Sequence, residues 1–277
     1  MAPGPVPTLP GMRTLLLLPL AAAVLTVFGP THPAHAEPPL PIQSARYADG
    51  LALEVVGDPY RAETVVVLVP GVNTTAANFD HGLGGVERRA PVYQARSLAA
   101  EIAALGGTDA AGKVAVVAWL GYHPPSGVGL SAAREDLAAA GAAALREFVG
   151  RLPGRRIVLV GHSYGSTVVG LAAPGLDGRV TDIVALGSPG MGVDSARDLH
   201  TAAHVWAGTA AGDWTRRIPG VRVAGAGHGA HTYDPAFGAE ALPVGGVDGH
   251  DGYFVPGTES LRALAGIALG TSAAQRL

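Results

Sequence analysis

Four short runs of unbroken, mostly β-branched apolar residues punctuate the chain, at 65–69, 114–119, 157–160 and 183–186. Each is too short for a helix and none alternates, which is the pattern of strands buried on both faces of a parallel sheet. Residues 51–56 alternate instead and predict an exposed or edge strand. Between the runs lie segments of helical character: 93–105, 132–149, a segment opening at Ser163, and a shorter one at 195–199. Residues 204–207 and 241–244 predict two further strands, and 261–269 a closing helix. The order is βαβα, which places helices on both faces of a mostly parallel sheet. One doubly wound α/β domain over residues 51–277 is the expectation, and no repeat of solenoid length breaks it.

Ahead of that domain the pattern changes. Arg13 precedes an apolar stretch, 15–28, and then the small-residue site Ala34-His35-Ala36, the three parts of a secretory signal. Pro19 interrupts the stretch, which falls short of the ~20 residues that span a bilayer. The expectation is therefore a signal over residues 1–36, cleaved after Ala36, an extracellular protein, and no membrane anchor after cleavage. N-terminal sequencing of the exported protein tests this: a chain beginning at Glu37 is expected, and one retaining 15–28 would overturn it. Residues 37–50 are Pro-rich at their start and read as a lead-in to the domain.

Composition narrows the chemistry. With 48% hydrophobic and 15% charged residues in 277, the chain has the material for one large core. Its 22 acidic residues against 19 basic ones, with no basic run, remove the electrostatic footprint of a nucleic-acid binder. The absence of cysteine excludes a thiol nucleophile and a Cys-ligated zinc site. Asp248, His250 and Asp251 are close in sequence, as are His228 and His231, but neither group has the helical spacing of a metal motif. No metal and no cofactor is expected.

Gly161-His162-Ser163-Tyr164-Gly165 matches G-x-S-x-G, directly after the apolar run 157–160 and before a helical segment. In that strand-turn-helix context the serine sits on a sharp turn with its hydroxyl exposed, and the glycines relieve crowding around it. A serine hydroxyl needs a base to attack at neutral pH, and in this arrangement the acid and then the histidine follow the serine in the chain. His250, after the last predicted strand and before the final helix, fits best; His228 and His231, in a Gly-rich stretch, remain open. Asp213 follows the predicted strand 204–207 and is the preferred acid. Asp194 is its rival, although its position before 195–199 also suits a helix cap. Tyr164 and Val72 are the candidates whose backbone N–H groups would receive an oxyanion, with Asn73 second to Val72. Trp119, Tyr122 and His123 leave the end of a central strand and are candidates to line the site.

The segments Val69-Pro70-Gly71-Val72-Asn73, Gly161-His162-Ser163-Tyr164-Gly165-Ser166, Ala185-Leu186-Gly187-Ser188-Pro189-Gly190 and Gly249-His250-Asp251-Gly252-Tyr253-Phe254 resemble a poorly characterised family of actinobacterial α/β-hydrolases, catalogued as a domain of unknown function. The resemblance covers most of the chain beyond the signal. It implies an α/β-hydrolase fold and a triad of the elbow serine, an aspartate after the Trp-containing strand and a histidine before the Tyr-Phe pair: Ser163, Asp213 and His250. It names no substrate.

The functional expectation is a serine hydrolase acting on carboxylic esters through an acyl-enzyme. The interval between Gly187 and His204 is too short for a large helical cap, so an open cleft for small-molecule, lipid or polymeric esters is expected. An extracellular acyltransferase with the same triad is the alternative, and a non-catalytic binding protein on a hydrolase scaffold is a third reading.

Overall fold

The computed structural model describes residues 1, 2, 4, 42–223 and 226–271. The chain divides into two units, Met1–Pro38 and Pro39–Leu277. Of the first only residues 1, 2 and 4 are described, so the expected signal and its cleavage after Ala36 lie outside the described residues.

In the second unit β1 (Ala45–Arg46), β2 (Ala52–Val56), β3 (Thr64–Val69), α1 (Pro91–Ala111) and β4 (Val114–Leu120) come first. Then come α2 (Leu130–Ala133), α3 (Asp136–Arg151), β5 (Arg156–His162), α4 (Tyr164–Ala172) and β6 (Val180–Leu186). Next are β7 (His204–Gly208), the hairpin β8 (Arg222–Val223) and β9 (Ala226–Gly227), β10 (Glu240–Ala241) and α5 (Glu259–Ala268). Eight strands form one sheet in the order β1-β2-β4-β3-β5-β6-β7-β10. From β4 to β10 every pairing is parallel, while β1–β2 and β2–β4 are antiparallel. The fold is a doubly wound α/β sheet.

Alternation along β3 builds the two faces, because successive side chains of a strand point to opposite sides. Val65, Val67 and Val69 pack with Leu145, Phe148, Val168 and Val169, on the side of α3 and α4. Val66 and Leu68 pack with Leu98, Ile102, Leu264 and Ile267, on the side of α1 and α5. Each such side chain taken fully from water contributes about 1.5–3 kcal/mol, which is why the central strands read as unbroken apolar runs. Among the described residues no helix is long and apolar enough to cross a membrane.

Three differences from the sequence expectation have physical causes. Residues 51–56 do not form the sheet's edge: Ala45–Arg46, within the stretch read as a lead-in, pairs with β2 and covers it. The predicted strand 241–244 shrinks to Glu240–Ala241, because beyond it the chain turns away through Val244 and Val247. The single predicted helix 132–149 is broken, with Arg134 extended at φ −93°, ψ 147°. There the Arg134 carbonyl accepts a hydrogen bond from the Tyr164 hydroxyl at 3.0 Å, and Arg134 bridges to Ala226. Tertiary contacts thus override an Ala-rich helical pattern.

After β3 the chain crosses to β4 on one side and then returns to β5 on the other. Strand order therefore reverses around β3, and the crevice beyond the carboxyl ends of β3 and β5 is where such sheets bind ligands. Gly71, just after β3, and Ser163, just after β5, meet there: a Cβ added at Gly71 would lie 2.6 Å from Ser163 Cβ.

Candidate active site

Ser163 sits between β5 and α4 with φ 55° and ψ −131°, a left-handed conformation that non-glycine residues adopt only under constraint. The constraint is visible around it. Its N–H donates to the Leu186 carbonyl at 2.9 Å, and its own carbonyl accepts from Ser166 N at 2.9 Å and Ser166 Oγ at 2.6 Å. Gly165 lets the first turn of α4 press against the end of β3: a Cβ there would stand 2.1 Å from the Val69 carbonyl oxygen, a clash with backbone that cannot relax cheaply. The helix thereby aims its N-terminus, with its partial positive charge, at the crevice.

Asp213, at the end of a short turn after β7, is buried and meets His250 from the loop before α5. His250 Nδ1 lies 2.9 Å from Asp213 Oδ1 and 2.9 Å from Oδ2. Three other donors converge on the carboxylate: Thr215 N at 2.8 Å and Thr215 Oγ1 at 2.7 Å on Oδ1, and the Tyr253 hydroxyl at 2.6 Å on Oδ2. The Tyr253 oxygen in turn accepts from Ala210 N at 3.0 Å, so its own proton is directed at Asp213. With every neighbour donating, His250 carries its proton on Nδ1, and its Nε2 is left as an acceptor. Burial pushes the Asp213 carboxyl up, but the hydrogen bonds and charge of His250, then Tyr253 and Thr215, outweigh it and hold the carboxyl well below its ordinary range. Burial, reinforced by the bond to Asp213, raises the Tyr253 phenol far above its usual value and keeps it a donor.

Gly187 explains how Asp213 and His250 fit against β6. Its φ is 51°, and a Cβ there would lie 2.6 Å from Asp213 Oδ2 and 3.0 Å from His250 Nδ1. Any side chain at that position would wedge the pair apart.

Ser163 and His250 line one cavity of about 210 Å³, together with His162, Trp214, Arg89 and Asp251. Among the described residues no hydrogen bond joins the Ser163 hydroxyl to His250. His162 supports the histidine loop, with its Nε2–H donating to the His250 carbonyl at 2.8 Å and the two rings 4.7 Å apart. Burial first, and then the facing His250, lower the His162 pKa, so this ring stays neutral and acts as a strut. Trp214 packs its ring 4.8 Å from that of His250 on another side.

The backbone donors sort themselves. Asn73 N–H donates to the Pro125 carbonyl at 3.0 Å, so it is committed elsewhere. The N–H groups of Val72 and Tyr164 have no such backbone partner among the described residues, and both residues lie beside Ser163. Tyr164 turns its side chain away, its hydroxyl accepting from Ala138 N at 3.1 Å; burial pushes that phenol up to about 12.

The rival residues stand apart from this cluster. Asp194 is exposed and bonds no histidine. His228 is buried edge-on to Tyr164, and its Nδ1 has no hydrogen-bond partner; His231 stacks on Tyr233. Trp119 and Tyr122 do not line the crevice. Trp119 stacks between Tyr122 and Phe148 in the core beneath α3, because strand alternation turns it to that face, and the Tyr122 hydroxyl donates to the Pro70 carbonyl at 2.6 Å. Thr215, Trp214, His162 and Arg89 were not singled out as site residues by sequence. Only the Thr215 contact carries a local signal, an aspartate capping the turn two residues on.

A family model described as alpha/beta hydrolase matches residues 47–223. An uncharacterised protein of Mycobacterium bovis is 35% identical over 156 residues, covering 54% of this chain and 56% of the relative. An uncharacterised protein of Mycobacterium tuberculosis is 29% identical over 263 residues, covering 80% of this chain and 37% of the relative. The chain thus spans about half the length, or less, of these curated relatives. Among solved structures, Est1E of Butyrivibrio proteoclasticus with ferulic acid bound has a TM-score of 0.48 at 12% identity, covering 82% of this chain and 99% of that one. An α/β serine hydrolase without lid from Xanthomonas campestris has a TM-score of 0.45 at 15% identity, covering 84% and 96% respectively.

Proposed function

Because the chain belongs to the alpha/beta hydrolase family, we propose that it hydrolyses carboxylic esters through Ser163, His250 and Asp213. One observation carries the reading: His250 is held at 2.9 Å by both oxygens of a buried, fully hydrogen-bonded Asp213, and it shares a cavity with the strained Ser163. His250 and the tyrosine that braces Asp213 lie beyond residue 223, where the family model stops, so their roles rest on this geometry.

The pairing of His250 with Asp213 supports the following steps. Ser163 Oγ attacks the ester carbonyl carbon while His250 Nε2 takes its proton, and the imidazolium that forms is stabilised by Asp213. The carbonyl oxygen becomes an oxyanion facing the Val72 and Tyr164 N–H groups at the α4 N-terminus. Collapse breaks the bond to the leaving alcohol, which takes the proton from His250 Nε2 and leaves an acyl-Ser163 ester. Water then attacks that ester, giving its proton to His250, and the second tetrahedral species collapses by breaking the Oγ–acyl bond, with His250 Nε2 returning the proton to Ser163 Oγ as the free acid leaves.

A fluorophosphonate probe, which phosphonylates an activated serine, tests the reading directly. The folded protein should be labelled at Ser163 and should turn over aryl esters. A folded protein that is neither labelled nor active would overturn the proposal in favour of a binding scaffold.

A further inference from the structure

Two cavities of unlike chemistry meet at Ser163, and we propose that they sort the halves of the substrate: a mostly apolar groove takes a long acyl chain, and a pocket of mixed lining that carries polar side chains takes a hydroxyl-bearing alcohol. The substrate class is then a fatty-acyl ester of a polyol. This rests on the reading of Ser163 and His250 given above.

The assignment of halves comes from proton transfer. The leaving oxygen must receive its proton from His250, so the alcohol lies on the side of His250. The carbonyl oxygen faces Val72 and Tyr164 N–H, and the acyl chain takes the remaining direction, away from His250. The cavity of about 210 Å³ contains His250; the groove of about 520 Å³ contains Ser163 and Tyr164 but not His250. The groove is therefore the acyl side, and the smaller cavity the alcohol side.

Their linings agree with that division. The groove is lined by Val128, Ala132, Ala133, Ile218, Pro219 and Val221, with Arg217 its charged residue; Val128 also lines the smaller cavity. Val128 and Val221 are 65% and 56% exposed, an apolar surface that an acyl chain would cover. His228, which also lines the groove, has its pKa lowered chiefly by burial and presents a neutral ring. The break at Arg134 matters here, because it separates α2 from α3 and sets Ala132 and Ala133 as a groove wall.

The alcohol side is of mixed lining, with Val72, Leu83 and Val128 among its residues, and it differs from the groove in the polar side chains it adds. Thr74, Asn78, Arg89 and Gln94 line it beside His250 and Asp251. Arg89 gives its Nε–H to Asp251 at 2.6 Å, which leaves its terminal NH groups for a ligand hydroxyl. Gln94 donates through Nε2 to the Arg88 carbonyl at 3.2 Å and keeps its oxygen as an acceptor. A donor and an acceptor lining one cavity suit a polyol better than an apolar alcohol.

Two ratios test the proposal with the chemistry held constant. Across p-nitrophenyl acetate, butyrate, octanoate and decanoate, kcat/KM should rise by up to about fourfold per added methylene until the groove is filled. Val221→Asp is a surface change confined to the groove, and it should lower the decanoate-to-acetate ratio by roughly tenfold or more. Arg89→Ala should lower the ratio of glyceryl monodecanoate to ethyl decanoate turnover by about fivefold, because only the first alcohol reaches its NH groups. A flat or falling chain-length series, or ratios unmoved by both substitutions, would overturn the sorting while Ser163-dependent turnover and labelling survive. Loss of labelling and of turnover on every ester would instead sink the hydrolase reading and this inference with it.

Discussion

Ser163→Ala should lower kcat on aryl esters by roughly ten-thousand-fold or more while the protein stays folded. In the proposed mechanism Oγ is the group that bonds to the acyl carbon, and the neighbouring polar side chains are otherwise engaged. His162 is fixed as a donor to the His250 carbonyl. Ser166 Oγ is turned back onto the Ser163 carbonyl, and Ser188 Oγ accepts from Gly190 N at 3.0 Å. What survives is the oxyanion pair and substrate binding, which still accelerate attack by water a little. Stability should change little, because alanine meets the same constraint at φ 55° and the bonds that hold the turn run through backbone and Ser166. Single-turnover kinetics and circular dichroism on the purified variant check both halves. A folded variant keeping more than about a tenth of wild-type kcat would remove Ser163 from the mechanism.

The sequence made the sheet legible where burial is two-sided, because Val65 to Val69 and Ile157 to Val160 have no polar position to confuse their period. It made the elbow legible for a different reason, since the turn after β5 needs glycine at fixed positions and the motif is local. Side-chain direction was not legible. Trp119 leaves the right strand end but on the face that points into the core, and only the register with β2 and β3 decides that. The break at Arg134 was hidden for a similar reason: its cause, the Tyr164 hydroxyl, is 30 residues away in the chain. The hairpin of Arg222–Val223 with Ala226–Gly227 is too short and too Gly-rich to raise any periodic signal. Its place after the predicted strand 204–207, and the helix-cap reading of Asp194, favoured Asp213 over Asp194. That Tyr253 and Thr215 complete its hydrogen bonds could only emerge once residues 213 and 253 stood side by side.

Asp213→Asn should reduce kcat on the same order as in other triads, roughly ten-thousand-fold, with KM little changed. The geometry says how. Oδ1 receives both Thr215 donors, so the amide of an asparagine keeps its oxygen there and places its NH₂ where Oδ2 was. That NH₂ would then donate to His250 Nδ1, forcing the ring proton onto Nε2, where it faces Ser163 and can no longer accept. The Tyr253 hydroxyl, already accepting from Ala210 N, would lose the acceptor for its own proton and become an unsatisfied buried donor. A stability difference should therefore accompany the kinetic loss, and its pH dependence has a definite sign. The folded Asp213 carboxyl titrates below its ordinary value, so its contribution is complete above the unfolded-state pKa of ~3.9 and is lost as pH falls toward the folded one. The stability gap between wild type and Asp213→Asn should narrow as pH is lowered below about 4. Asp194→Asn, at an exposed side chain, should leave kcat within about twofold. Denaturant unfolding and kcat measured on both variants decide the matter: if Asp194→Asn is the more damaging change, Asp213 is not the acid of this site.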